Sequence, residues 1–382
     1  MSTALGNLLD KGDTWLYPDQ VFTGENLMHS TAVHFVNGKV AGLCPADALP
    51  EGAHLQKLSG LLTPGFFDIQ INGGGGVLYN TTPTPEGLFT IADAHRTFGT
   101  TALLPTVITD APQVLEDAVE AMKDAYGKHG IQGIHIEGPH ISIARKGTHE
   151  ASWVRPINQR SYELIRQLRD RDIPVLITVA PEAVEKGDIA KLVEMGAVVS
   201  IGHTDASAAQ IKPALEEGTN LFTHLFNGMS QMVNREPGAV GTGISSSAYC
   251  SIIVDGHHVA DEMLQIAMRA RPVQDHMIIV SDAMPTVGGP DSFDLYGNNI
   301  YLQDGKLINA AGSLAGAHVT MLESIERLVT VLNRPLEEAL RMGITNPARL
   351  MGLEQSVATL DQANSADILL ISPDFKSFSP IT

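Results

Sequence analysis

From Leu61 onward the chain alternates between two textures. Short runs rich in Val, Ile and Leu occur at Phe66–Ile71, Ala102–Val107, Gly133–Ile136, Pro174–Val179, Ala197–Ile201, Asn220–Thr223, Ser251–Val254 and Met277–Val280. Amphipathic stretches with helical spacing lie between them, among them Ala111–Tyr126, Gln159–Arg171, Glu185–Met195, Ala206–Glu217 and Ala260–Ala270. Uninterrupted apolar strands suit a parallel sheet buried on both faces, and the intervening helices supply the cover. Eight such units of about 30 residues predict an α/β fold closed into a (β/α)₈ TIM-like barrel. The rival is an open doubly wound sheet, which usually stops at about six strands and carries a spaced glycine fingerprint after its first strand. The run Gly73-Gly74-Gly75-Gly76 lacks that spacing, and no Lys-Ser/Thr follows it as in a phosphate loop. It reads as a flexible loop at the barrel mouth.

The flanks have a different pattern. Residues 15–60 form short β-like segments broken by turns, with a hairpin signal at Asn37-Gly38. The first fourteen residues read as a loosely held extension. After the eighth apolar run an irregular stretch leads to a hairpin at Ile300–Ile308, turning at Asp304-Gly305, then to helices at Val319–Asn333 and Leu336–Met342. The last β-like run, Asp367–Ile371, stands alone and has the N-terminal β unit as its natural partner. The expected division is therefore a small β domain from residues 1–60 and 346–382, flanking a barrel over residues 61–345.

Composition narrows the function classes. The chain has 382 residues, 43% of them apolar, which is enough for a large core and a smaller one and excludes a disordered tail. A net charge of −18 argues against nucleic acid and membrane surfaces as partners, though a few local cations can still bind a small anion. The two cysteines, Cys44 and Cys250, have no metal spacing and read as reduced thiols. The N-terminus has no basic segment followed by an apolar one, and no apolar run reaches the ~18 residues of a membrane helix. The expectation is a cytoplasmic protein.

In a (β/α)₈ barrel the chemistry sits at the C-terminal ends of the strands, so the polar residues closing each apolar run are the candidates. These are Gln70 and Asn72 after the first run, Glu137 after the third, His203 after the fifth, His224 after the sixth, Asp255 after the seventh and Asp282 after the eighth. Glu137, His203 and His224 together make a credible site for one divalent metal: two imidazoles suit a borderline ion and the carboxylate offsets its charge. Singly, each reads as a helix cap or a loop hydrogen bond. Asp282 is the candidate general acid/base, with a turn cap as its plain alternative. His149 suits a carbonyl or oxyanion stabiliser or a surface position. Arg235 and the pair His257-His258 are candidates for a ligand anion, with an Arg235–Glu236 ion pair as the alternative.

The motifs in order resemble one family closely. They are Pro64–Gly73 (PGFFDIQING), His135-Ile136-Glu137-Gly138-Pro139, Lys146-Gly147-Thr148-His149, Gly202-His203-Thr204 and Thr223–Met229 (THLFNGM). Arg235-Glu236-Pro237-Gly238, Asp255-Gly256-His257-His258, Ser281-Asp282-Ala283 and Gly312-Ser313-Leu314-Ala315-Gly316 follow. From about Trp15 to about Phe375 the chain resembles the N-acetylglucosamine-6-phosphate deacetylases of the amidohydrolase superfamily. The resemblance implies a metal-dependent barrel with a β-sandwich from both chain ends, a homodimer, and hydrolysis of the acetamide of an amino-sugar phosphate. It implies a divalent ion, zinc by preference, on Glu137, His203 and His224, with Asp282 shuttling protons and His149 on the acetyl carbonyl. Substrate contacts are implied at Thr148, Asn227, Gly228, Arg235, Asp255, Gly256, His257, His258, Leu314, Ala315 and Gly316, the arginine reaching in from a neighbouring subunit. Many amidohydrolases carry His-x-His where Gln70 and Asn72 stand; amides are poor ligands, so a single ion is expected. The sequence also stops soon after Phe375, where relatives add a final hairpin. Two other readings compete: an amidohydrolase acting on a cyclic amide or nucleobase, and a non-catalytic sugar-phosphate sensor.

Overall fold

The structure, a computed structural model, describes residues 12–381 in two compact units. One unit comprises residues 68–98 and 102–320. All eight predicted runs form strands of one parallel sheet: Phe66–Ile71, Thr100–Ile108, Ile134–Glu137, Val175–Val179, Val198–Ile201, Leu221–Phe222, Tyr249–Ile252 and Met277–Ile279, each beside its neighbour in chain order. The first and eighth come together through Asp282 N–H donating to the Gln70 carbonyl at 3.0 Å and Asn72 N–H donating to the Ala283 carbonyl at 2.9 Å. The open-sheet alternative is thereby excluded. The helices start where local chemistry favours it: Pro112 opens Pro112–Ala125, and capping boxes at Asn158 and Ser207 open Gln159–Arg169 and Ala208–Glu216. Helices Pro85–Arg96, Asp188–Glu194, Gly238–Ser245 and Asp261–Ala270 are the other α-helices among the described residues of this unit.

The glycine run is not a flexible loop. Gly73–Gly74 pair with Val77–Leu78, both glycines are buried, and Gly73 N–H bonds the Ala283 carbonyl. A Cβ on Gly73 would lie 2.5 Å from the Val77 carbonyl oxygen, so the glycine is needed for close approach. The hairpin turning at Asp304-Gly305 forms as expected, from strands Asn298–Gln303 and Lys306–Ile308.

Each strand also carries a buried polar residue, either within it (Asp68, Thr106, His135, Thr178, Ser200 and Ser251) or one or two residues past its end (Thr223 and Ser281), none more than 1% exposed. Bonds run from Thr106 to His135, on to Thr178 at 2.8 Å, to Thr223 at 2.8 Å and to Ser200 at 2.6 Å. Barrel interiors are usually filled with branched apolar side chains. Here a hydrogen-bonded belt lies just before the strand ends that carry the candidate site.

The second unit comprises residues 12–67, 99–101 and 321–381. A four-stranded sheet (Lys39–Pro45, Thr31–Val36, Asp13–Tyr17, Leu55–Lys57) faces a five-stranded one (Phe378–Pro380, Ile368–Ile371, Leu61–Pro64, Gln20–Phe22, Leu27–His29). Leu16, Val33 and Phe35 of the first and Val21, Leu62 and Ile368 of the second share one core, each burial contributing ~1.5–3 kcal/mol. The last predicted run does join the N-terminal strands: Ile368–Ile371 pairs antiparallel with Leu61–Pro64. A final strand, Phe378–Pro380, forms on its other side, and Ile381 is buried in the core. Of the predicted N-terminal extension, residues 1–11 lie outside the described residues, while Asp13 and Thr14 belong to a strand. Helices Met321–Thr330, Leu336–Leu340 and Asn346–Met351 also belong to this unit.

Candidate active site

Glu137 closes the third barrel strand, and His203 and His224 follow the fifth and sixth within two residues. His203, His224 and Asp282 all adopt left-handed backbone, at φ +46°, +31° and +52°. Such a conformation costs about 1–2 kcal/mol per non-glycine residue and recurs at functional sites. His203 is held by its neighbours: its Nδ1–H donates to the Arg145 carbonyl at 2.8 Å, which leaves Nε2 as a bare donor atom. Gly228, at φ +57°, packs against the same ring, where a Cβ would lie 2.9 Å from His203 Nδ1.

Glu137 Oε1 lies 2.9 Å from His224 Nε2 and 3.2 Å from His203 Nε2, and the two ring nitrogens are 3.2 Å apart. A tetrahedral ion with bonds of ~2.0–2.1 Å separates its ligands by about 3.4 Å, so this triangle of one oxygen and two nitrogens fits a divalent cation with little adjustment. His149 also brings a nitrogen within 4.8 Å of Glu137 and His203. It stands farther out, with Nε2 3.9 Å from Glu137 Oε2 and Nδ1 engaged by Thr109. Burial pushes the Glu137 carboxyl up, but the His203 and His224 imidazoles beside it outweigh that and hold the group well below the usual range. Burial opposes charge on His224 too, and Glu137 overcomes it, raising that imidazole. His224 Nδ1 is buried and has no hydrogen-bond partner among the described residues.

The strand-1 amides bind carboxylates. Gln70 Nε2 donates to Glu137 Oε1 at 3.1 Å and to Asp282 Oδ1 at 3.2 Å, and Asn72 Nδ2 donates to the same Asp282 oxygen at 2.7 Å. Asp282 is thus fixed by two neutral donors. Burial, reinforced by the charge of Glu137, raises its carboxyl above the ordinary range, as a proton acceptor near neutral pH requires. Burial above all, with the neighbouring His203 imidazole adding to it, pushes His149 well below its ordinary value, so that imidazole is neutral.

These groups line a cavity of about 200 Å³. Asn72, Glu137, His149, His203, His224 and Asp282 form its polar floor; Thr148, Asn227, Gly228, His258, Leu314 and Gly316 also border it. Gln70 lies beside the floor and reaches the site through its hydrogen bonds. Asp255 is one step removed: it accepts His258 Nδ1–H at 2.6 Å and the backbone N–H groups of His257 and His258. Burial pushes Asp255 up, yet these bonds, led by that from His258, hold it at about 2. Gly256 supplies the turn at φ +77°, and His257 packs near Gly305 of the hairpin rather than lining the cavity. Ala315 is fully buried in an apolar cluster with Leu295, Ile300 and Leu307; its neighbours Leu314 and Gly316 face the site. Arg235 is exposed, away from the cavity, between Met232 and Val233 on one side and Glu236 on the other. Glu236 accepts the N–H groups of Ala208 and Gly238.

Ile108, Met284 and Gly147 also line the cavity, and Thr109 buttresses His149; sequence reading picked none of them. Thr109 directly follows the second strand, so the strand-end rule extended to that strand would have found it.

Residues 61–381 match the amidohydrolase family. The chain is 38% identical to the N-acetylgalactosamine-6-phosphate deacetylase of Shewanella sp. (strain ANA-3), over 93% of this chain and 91% of that one. It is 32% identical to the N-acetylglucosamine-6-phosphate deacetylase of Haemophilus influenzae, over 93% and 94%. Its fold superposes on the crystal structure of N-acetylglucosamine-6-phosphate deacetylase from Pasteurella multocida with a TM-score of 0.87 and 31% identity, covering 95% of this chain and 96% of that one. A strand-end His/Glu cluster on a closed barrel, together with this match over most of its length, establishes that the chain belongs to the amidohydrolase family.

Proposed function

We propose that the protein hydrolyses the acetamide of N-acetyl-D-glucosamine 6-phosphate to D-glucosamine 6-phosphate and acetate, a step of amino-sugar catabolism. The observation that carries this reading is the Glu137–His203–His224 triangle with Asp282 across the same cavity, in a chain whose relatives are amino-sugar-phosphate deacetylases. Glu137, His203 and His224 would hold one divalent ion, zinc by preference, which supplies Lewis acidity for activating water. Asp282, oriented by Gln70 and Asn72, takes the proton that the attacking water loses and returns it to the nitrogen as the C–N bond breaks. His149 donates a hydrogen bond to the acetyl oxygen as negative charge develops there. His258, fixed by Asp255, binds the phosphate with Arg235 of a neighbouring subunit. Thr148, the Asn227–Gly228 turn and the Leu314–Gly316 segment contact the sugar, and that binding orients the amide. The neutral strand-1 amides favour one ion over two. In this reading residues 61–345 carry the chemistry, the β unit of residues 1–60 and 346–382 is scaffold, and the protein works as a cytoplasmic homodimer.

Two readings are set aside. An amidohydrolase for cyclic amides or nucleobases has no use for the His258 and Arg235 anion contacts. A non-catalytic sensor has no use for a proton acceptor facing an ion site. One neighbouring reading has a specific observation behind it: the relative at 38% identity is an N-acetylgalactosamine-6-phosphate deacetylase, whose substrate differs only at the C4 hydroxyl. Acetate release from both 6-phosphates and from unphosphorylated N-acetylglucosamine, measured beside metal content per chain, tests the proposal. Release from neither phosphate sinks it, and a higher kcat/KM for the galacto epimer moves it to the neighbouring substrate.

A further inference from the structure

Behind His149 in the cavity wall stands a threonine that the mechanism leaves unused. Thr109 is fully buried directly after the second barrel strand, and His149 is 3% exposed beside it. Thr109 Oγ1 lies 2.7 Å from His149 Nδ1, and the Thr109 backbone N–H points at the same nitrogen at 3.4 Å. A backbone N–H can only donate. A proton on Nδ1 would therefore face the amide hydrogen head on, whereas a bare Nδ1 receives both the amide and the hydroxyl hydrogen. Among the described residues the hydroxyl has one other acceptor within reach, the Glu137 carbonyl, at 3.4 Å, a distance too long to compete with 2.7 Å. The loop carrying His149 is fixed independently: its N–H donates to the Lys146 carbonyl at 3.0 Å, and Lys146 Nζ donates to the His149 carbonyl at 2.9 Å.

We infer that Thr109 is a positioning residue that holds His149 in the tautomer with Nδ1 bare and Nε2 protonated, so that a neutral imidazole presents an N–H donor to the cavity. This inference rests on the assignment of His149 to the acetyl oxygen for its catalytic meaning, but not for its geometry. The other tautomer would aim a lone pair at a developing oxyanion and repel it; the hydroxyl and amide of Thr109 remove that choice. The ring need not gain or lose a proton during turnover.

The test is ¹⁵N NMR of the wild-type protein labelled at histidine, the His149 signals identified by their loss in His149→Gln. The expected spectrum has a bare Nδ1 and a protonated Nε2; a protonated Nδ1 overturns the inference whatever the activity. Thr109→Val keeps the shape and removes the hydroxyl. It is expected to lower kcat about 100-fold, as loss of one oxyanion donor does, with KM and bound metal little changed. Thr109→Ser is expected to restore most of the rate and the wild-type spectrum. A Thr109→Val protein with wild-type kcat overturns the inference as well. A wild-type protein that shows the expected tautomer but releases no acetate sinks the proposed function and leaves the Thr109–His149 assignment standing.

Discussion

At the residue scale, the site depends on side chains held in conformations that they would not choose alone. Three of the four groups proposed to hold the ion or move the proton, His203, His224 and Asp282, sit in left-handed backbone, and two amides hold Asp282 by one oxygen. Asp282→Asn keeps the shape and removes the proton acceptor; kcat is expected to fall about 10²- to 10⁴-fold with metal content unchanged, measured by acetate release and elemental analysis. Near-normal turnover would remove Asp282 from the mechanism. Gly228→Ala forces a methyl to 2.9 Å from His203 Nδ1 and disturbs the bond to the Arg145 carbonyl. Metal affinity, read by chelator competition, is expected to drop about 10- to 100-fold, as when a ligand's hydrogen-bond partner is lost. An unchanged affinity would mean that the ring is not held from that side.

At the element scale, the strands both frame the core and carry a polar belt inside it. Thr178 bonds His135 and Thr223 at 2.8 Å each, so Thr178→Val strips the buried His135 Nε2 of its partner and leaves Thr223 with Ser200. The expected cost is ~1–3 kcal/mol in urea unfolding, a loss that Thr178→Ser should largely avoid. The helix Pro85–Arg96 braces the glycine hairpin through His95 Nε2, which bonds the Gly73 carbonyl at 2.9 Å. Burial lowers His95 from 6.5 to about 4, so between those values the unfolded chain binds the proton that the folded chain refuses. Stability from this group is present above pH 6.5 and is lost as pH falls toward 4. Asp68, raised by burial to about 7, has the opposite slope, costing stability as pH rises from 3.8 to 7. The unfolding midpoint of His95→Gln should therefore fall less than that of wild type between pH 7 and pH 5. Equal falls would show that His95 titrates normally.

At the scale of the whole molecule, a net charge of −18 leaves anion binding to a few placed groups. Arg235, proposed as one of them, is exposed in a loop that also exposes Met232 at 49% and Val233 at 59%. Two bulky apolar side chains beside an arginine suit a contact with a second copy. If Arg235 serves the neighbour's site, Arg235→Ala and Asp282→Asn chains, each poorly active alone, should give active mixed oligomers when coexpressed. Their failure to complement would show that Arg235 acts in its own subunit or not at all.

Much of this was legible because strand and helix periodicity are local. Eight apolar runs gave eight strands, and the polar residue closing a run fell on the barrel mouth because parallel strands all end on the same side. Strand-end chemistry therefore exposed Glu137, His203, His224 and Asp282 to sequence reading. The interior belt was hidden, since one Thr or Ser inside an apolar run looks like a strand residue until its partners across the barrel are known. The glycine run was read as flexible because its cover, the Ala283 carbonyl, comes from the far end of the sheet. By itself, the sequence determined which segments become strands and helices and which polar residues fall at their ends, through spacing and turn chemistry. Tertiary structure alone decided the closure of strand one on strand eight, the 3 Å triangle of ligand atoms, the amide grip on Asp282 and the contact of Thr109 with His149. Each of these depends on distances between residues far apart in the chain, and those distances exist only once the barrel has closed.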